Sequence, residues 1–200
     1  MTARKPKGLV LCGGNSSRMG SDKGLLSTEG KLWVHERILT LSPFTDGCLI
    51  SIRAEQRTAY SKVILNGEFT EDLYENIGPM SGILSAHARF PAENFLVLAC
   101  DMPSPDSWIF SEILKVYTTN PGKRSYFWKL DGMIEPFPAI YTSELLNEVA
   151  RKLNDSDFNS SPKDILERSE GIGSDVPKER FKAFLNYNTL PDLSGVGILN

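Results

Sequence analysis

The residue types best suited to chemistry gather near the amino terminus. Residues 11–23, LCGGNSSRMGSDK, follow an apolar run with Gly13 and Gly14, then bring Arg18, Gly20 and Lys23 together before apolar residues return. Glycines let backbone amides approach an anion, and a helix start after them adds its dipole. Arg18 can fork onto phosphate oxygens, and Lys23 supplies a mobile point charge. The spacing excludes two common phosphate loops. A P-loop needs Lys directly after its second glycine, whereas Gly20 is followed by Ser21-Asp22. A dinucleotide Gly-x-Gly-x-x-Gly turn fails against Gly13-Gly14 followed by Gly20.

Three further groups share this chemistry. Asp101 ends the apolar run NFLVLACDMP, where a carboxylate past a buried strand can hold magnesium against phosphate oxygens. In ENIGPMSGILSA, residues 75–86, Gly78, Pro79 and Gly82 form a small-residue loop able to receive a flat ring, with a helix starting near Ser81. Upstream, Glu71 and Asp72 are carboxylates able to accept from the paired N–H donors of guanine. Near the carboxyl end, FLNYNTLPDL reads as a strand closing on Asn186 and Asn188, two amides on one side by strand alternation. With only two histidines, His35 and His87, a histidine-based centre is not expected.

The elements that must position these groups follow from patterning. Apolar runs of strand length occupy residues 8–12, 48–52, 62–65, 95–100, 125–130, 137–141 and 181–187, with helical spacing between many of them. In KLWVHERILTL, Leu32, Trp33, Ile38, Leu39 and Leu41 form one face and His35, Glu36 and Arg37 another. SPDSWIFSEILKVY opens with Ser104 as N-cap and Pro105 at the first helical position, burying Trp108, Ile109, Ile113, Leu114 and Tyr117. SELLNEVARKL buries Leu145, Leu146, Val149 and Leu153, and Ser161-Pro162 opens a short helix. Asp131-Gly132 is a turn pair between two strand-like runs. Alternating strands and helices predict an α/β fold, a mainly parallel sheet with an antiparallel strand, in one domain over residues 1–200. GLVLC and NFLVLAC, apolar throughout, read as strands covered on both faces.

Composition narrows the partners. A net charge of −3 and a pI near 5.5 give no basic excess for nucleic acid. No apolar stretch approaches the ~20 residues of a membrane span, and the first residues lack the apolar core of a signal peptide. The expected location is the cytoplasm. Cys12, Cys48 and Cys100 sit at one or other end of apolar runs without metal-type spacing, as core-edge residues do.

Together these motifs resemble the molybdenum cofactor guanylyltransferases among the MobA-like nucleotidyltransferases. Members show Leu-x-Gly-Gly-x-Ser-x-Arg-Met-Gly-x-Asp-Lys, here Leu11 to Lys23, and Gly-Pro-Leu-Ala-Gly, here Gly78-Pro79-Met80-Ser81-Gly82. Cys100 to Pro103 matches Cys-Asp-x-Pro, Glu135 to Tyr141 matches Glu-Pro-x-x-Ala-x-Tyr, and Asn186 onward matches Asn-x-Asn-Thr-Pro with Leu190 slipped in before the proline. The resemblance implies a three-layer Rossmann-like fold and transfer of GMP from magnesium-GTP to the phosphate of molybdopterin, releasing pyrophosphate. It implies Arg18, Lys23 and Asp101 in catalysis, with Asp101 on Mg2+. The implied nucleotide contacts are Leu11, Cys12, Gly13, Gly14, Lys23, Ser51, Asp72, Gly78, Pro79, Gly82 and Asp101. Ser51 falls in Ser51-Ile52-Arg53, where the family usually carries an Asn. Asn186 and Asn188 would face the pterin, and cofactor-delivery and acceptor proteins would be partners. Two alternatives remain at this point: a cytidylyltransferase or sugar-nucleotide pyrophosphorylase of the same fold, and a nucleotide-binding module without catalysis. The former generally read Ala-Ala-Gly at Cys12-Gly13-Gly14 and lack Gly-Pro-x-x-Gly; the latter needs no Lys23 with Asp101.

Overall fold

The computed structural model describes residues 4–13, 22–102, 106–155 and 157–184, with the backbone of 196–198. In chain order the elements are β1 (Lys7–Leu11), β2 (Leu26–Thr28), β3 (Lys31–Leu32), α1 (Trp33–Leu41), β4 (Cys48–Ile52), α2 (Arg57–Val63) and β5 (Glu68–Glu71). They continue with α3 (Met80–Arg89), β6 (Phe95–Ala99), α4 (Ser107–Thr119), β7 (Ser125–Leu130), β8 (Met133–Tyr141), α5 (Ser143–Lys152), α6 (Pro162–Glu167), β9 (Ile172–Asp175) and β10 (Val196–Ile198). Short 3-10 turns lie at Lys23–Leu25, Ala54–Gln56 and Lys178–Phe184.

Seven strands form one sheet in the order β5-β4-β1-β6-β8-β7-β9. Strand β1 pairs parallel with β4 and β6, and β8 runs antiparallel to both β6 and β7. A separate sheet holds β10, β2 and β3. Alternation on the central strands divides two cores. Val10, Cys12, Ile50, Leu96, Leu98 and Cys100 pack with residues of α1, α2 and α4. Leu9, Leu11, Leu49, Phe95 and Val97 pack with α3, α5 and α6. The result is three layers, as the resemblance implies. Leu9 and Val10 are fully buried, and each such side chain contributes about 1.5–3 kcal/mol. Cys12 and Gly13, just past the end of β1, therefore follow directly on the buried run of that strand.

Asp131 and Gly132 turn β7 into β8 with φ of 45° and 80°, the left-handed pair a two-residue hairpin requires. Four expectations are corrected. The run at residues 62–65 is not a strand: Lys62 and Val63 finish α2, Asn66 turns with φ 62°, and the strand is β5. Residues 181–184 lie in a 3-10 turn instead of a strand, with Phe184 packed edge-on to Trp128; residues 185–187 lie outside the described residues. On α1 the buried face is Trp33, Val34, Arg37 and Leu41, while Leu39 is 65% exposed. Helix α4 is capped by Asp106, which accepts from the Trp108 amide at 2.9 Å; Ser104 and Pro105 lie outside the described residues.

Candidate active site

The order β5-β4-β1-β6 reverses the winding direction at β1, so the crevice beyond the carboxyl ends of β1 and β6 is the switch point where open α/β sheets bind ligands. The register Leu11 with Ala99 brings the two strands to an end on the same edge, where Cys12 and Cys100 follow them and Gly13 and Asp101 come next in each segment. The Cys100 amide donates to the Leu11 carbonyl at 3.1 Å, tying the two strand ends. Lys23 Nζ lies 2.7 Å from Asp101 Oδ2, with both side chains about one-fifth exposed. The sequence separates these two groups widely; the sheet brings them together.

On the β4 side, the Cys12 and Gly13 amides both donate to the Ser51 carbonyl, at 2.9 and 3.1 Å. The Ser51 hydroxyl donates to Asp72 Oδ1 at 2.8 Å. A Cβ on Gly13 would sit 2.5 Å from Asp72 Oδ2, so any larger residue would push this carboxylate aside. Burial pushes the Asp72 carboxyl above its ordinary value, while Ser51 and Arg53 draw it back. Glu71 instead faces outward, 3.7 Å from Arg57. Asp72 is the member of the pair that reaches the crevice.

Helix α3 fixes the segment that follows. Ser85 Oγ accepts from the Leu73 amide at 2.8 Å, and Ser81 Oγ donates to the Tyr74 carbonyl at 2.6 Å. Gly78 and Pro79 are exposed just before α3, Gly78 with φ 58°. Gly82 is buried: a Cβ there would meet the Ser51 side chain and come within 3.0 Å of Leu11. Its place is in the helix–sheet contact beneath the crevice. Gly14 and Arg18, and Asn186 and Asn188, lie outside the described residues.

Two supporting residues, Gln56 and Tyr60, escape sequence reasoning, and Asp22 enters it only as a motif residue with no role assigned. The Asp22 carboxylate accepts from the Gly24 amide at 3.1 Å, from the Tyr60 hydroxyl at 2.7 Å and from Gln56 Nε2. The available signals were slight. Asp22 two residues before Gly24 is an Asx-type turn start, and Gln56 and Tyr60 stand four apart, on one helical face.

All three cysteines are free. Burial pushes the Cys12 thiol well up and Cys48 from 9.0 to about 12, leaving Cys48 roughly a thousandfold less thiolate at pH 8. A disulfide reagent at pH 8 is expected to react slowly with both in the native protein and fast after urea; rapid native reaction at either would contradict this burial.

Among the described residues no cluster of three or more His, Cys, Asp or Glu can form a protein-only metal cage. Asp101 is the carboxylate at this edge that could serve one ion together with waters and substrate oxygens. Magnesium takes one or two carboxylates plus waters and phosphate oxygens, and Asp101 Oδ2 already faces a cation, the Lys23 ammonium.

The fold and this edge define a nucleotidyltransferase-type α/β enzyme. A family model, the MobA-like NTP transferase domain, matches residues 8–172, and the chain belongs to that family. It is 30% identical over 198 residues to a probable molybdenum cofactor guanylyltransferase of Clostridium perfringens, covering 93% of each chain. A protein of the same description from Flavobacterium johnsoniae is 30% identical over 137 residues, 68% of each. The crystal structure of molybdopterin-guanine dinucleotide biosynthesis protein A from Archaeoglobus fulgidus superposes with a TM-score of 0.75 at 26% identity, covering 94% of each chain. Among the described residues no helix is long and apolar enough to cross a membrane.

Proposed function

We propose that this protein transfers GMP from magnesium-GTP to the terminal phosphate of molybdopterin. The observation that carries the reading is the Lys23–Asp101 pair at 2.7 Å, at the switch point where β1 and β6 end. The named relatives support the choice of guanine and pterin. An acceptor phosphate oxygen forms a new bond to the α-phosphorus, the α–β bridging P–O bond breaks, and pyrophosphate leaves with the electron pair. A phosphate monoester is already anionic, so the step needs positioning and charge neutralisation more than a base.

Each residue has a defined task. The Ser51 carbonyl holds the Cys12 and Gly13 amides, so the loop amides from Gly14 onward, carried on Leu11, Cys12 and Gly13, donate to phosphate oxygens. Lys23 and Arg18 neutralise the triphosphate. Asp101 would hold Mg2+, which supplies charge screening between donor and acceptor. Ser51 aims Asp72 at the guanine N–H donors, Gly78 and Pro79 border the base, and Gly82 permits the close helix beneath. Asn186 and Asn188 take the pterin side. Residues 1–200 act as one domain, in the cytoplasm, where free thiols at Cys12, Cys48 and Cys100 are the expected state. Cofactor-delivery and acceptor proteins would be the macromolecular partners.

Base recognition is tested at Asp72. A charge-assisted hydrogen bond is worth about 1.5–3 kcal/mol, so Asp72→Asn is expected to weaken GTP by roughly 10- to 100-fold and leave CTP little changed. Titration calorimetry with both nucleotides decides. Unchanged GTP affinity, or a wild type that prefers CTP, would assign guanine selection elsewhere.

A further inference from the structure

We propose that Gln56 and Tyr60, at the start of α2 and outside every recognised motif, are positioning residues that hold Lys23 on Asp101 by clamping Asp22. This rests on the transfer reading only for its kinetic consequence. Lys23 opens a turn whose N-cap is Asp22, so what fixes Asp22 helps fix the origin of the Lys23 side chain. Three donors converge on the Asp22 carboxylate. Gly24 N and the Tyr60 hydroxyl both reach Oδ1, and the Gln56 amide reaches Oδ2. Two of these donors come from α2 and its cap, on the far side of β4 in the chain.

Gln56 is bonded at both ends of its amide. Its Nε2 also donates to the Cys12 carbonyl at 3.2 Å, and its Oε1 accepts from the Arg53 amide at 2.6 Å. One buried amide thus connects the end of β1, the end of β4 and the residue before Lys23. Gln56 is 6% exposed and Tyr60 is fully buried. Burial also keeps the Tyr60 hydroxyl protonated, hence a donor to Asp22. Gly24 completes the clamp. A Cβ there would collide with the Tyr60 hydroxyl and press to 3.1 Å from Cys12 Sγ, so the turn lies directly against α2 and β1. The network reaches the Asp101 carboxylate through the backbone of Asp22 and the side chain of Lys23.

A misplacement of about 1 Å at a reacting centre can cost on the order of 100-fold in rate. Tyr60→Phe removes one donor with little change of shape, and Gln56→Met removes the amide at similar length. Crystal structures of both variants test the clamp without reference to any reaction. Lys23 Nζ is expected to leave hydrogen-bond distance of Asp101 in Gln56→Met, with the turn after Asp22 displaced. An unmoved Lys23 in both variants overturns the proposal.

Kinetics provide the second arm, with pyrophosphate release from GTP and molybdopterin as readout. The expected loss in kcat is roughly 10-fold for Tyr60→Phe and up to about 100-fold for Gln56→Met, with KM for GTP changed far less. In a Lys23→Ala background the same substitutions should add little, because they act through Lys23. Full additivity, or wild-type kcat in both, counts against the clamp. A wild type that releases no pyrophosphate refutes the transfer reading instead, and the crystallographic arm still decides the clamp.

Discussion

Lys23→Ala is expected to lower the rate of pyrophosphate release by roughly 10²- to 10³-fold, the effect of removing one preorganised charge from a transition state. Lys23 earns this weight by position. It stands 2.7 Å from Asp101 at the crevice where β1 and β6 end, so its ammonium can pass from a carboxylate to a phosphate oxygen with little motion. The fold should tolerate the change. Both side chains of the pair keep about one-fifth of their exposure, and a partly solvated pair is worth on the order of 1 kcal/mol. For a chain of 200 residues that moves Tm by about 2–4 °C. Circular dichroism and a melting curve, run beside the kinetics, separate the two effects. Turnover like the wild type's would remove Lys23 from the chemistry. Lys23→Met, which keeps the apolar stem, should be as inactive as alanine if charge is the cause.

Asp101→Asn is expected to be comparably severe for a different reason. The side chain keeps its shape and loses the charge that would hold magnesium. Metal stabilisation of a transferring phosphoryl group is worth several kcal/mol, and 1.36 kcal/mol is tenfold in rate. A loss of about 10² or more follows at ordinary magnesium concentrations. The metal concentration for half-maximal activity should rise, whereas it should change far less in Lys23→Ala. GTP binding without metal should weaken little, since Asp101 repels the triphosphate more than it attracts it. An Asp101→Asn protein with wild-type activity and wild-type metal dependence would place the metal on other groups.

The sequence was most readable where the physics is most local or most repetitive. GLVLC and NFLVLAC are apolar at consecutive positions because β1 and β6 are buried on both faces, and that burial fixes where Gly13 and Asp101 emerge. The hairpin at Asp131-Gly132 was equally plain, since few pairs accept two positive φ angles. Strand β5 was not readable. Its sequence, EFTE, carries one large apolar residue, as an edge strand with charged flanks can. The apolar run just before it, at residues 62–65, drew the assignment away, although Asn66 and Gly67 break the chain between them.

Arg37 shows a second kind of limit. Helical spacing counted from Trp33 and Val34 places it on the inner face, yet its charge argued for solvent. Desolvation lowers its pKa, the mark of a cation held inside. The Asp22 clamp marks a third. Asp22, Gln56 and Tyr60 meet only after β1 and β4 are side by side, so no local pattern joins them. Asp72 lies between these extremes. The resemblance already favoured Asp72 over Glu71 as the base contact, whereas the Ser51 hydroxyl on Asp72 and the outward Glu71–Arg57 pair are visible only in the fold.

The central claim is guanylyl transfer to a pterin phosphate. Purified protein should be incubated with magnesium, molybdopterin and either GTP or CTP, following pyrophosphate and the mass of the pterin product. Equimolar pyrophosphate and a guanine dinucleotide from GTP, with CTP at least roughly tenfold slower as a missing hydrogen-bond partner would make it, is the predicted result. Release from CTP in preference to GTP, or GTP bound tightly with no pyrophosphate on this acceptor, would contradict it.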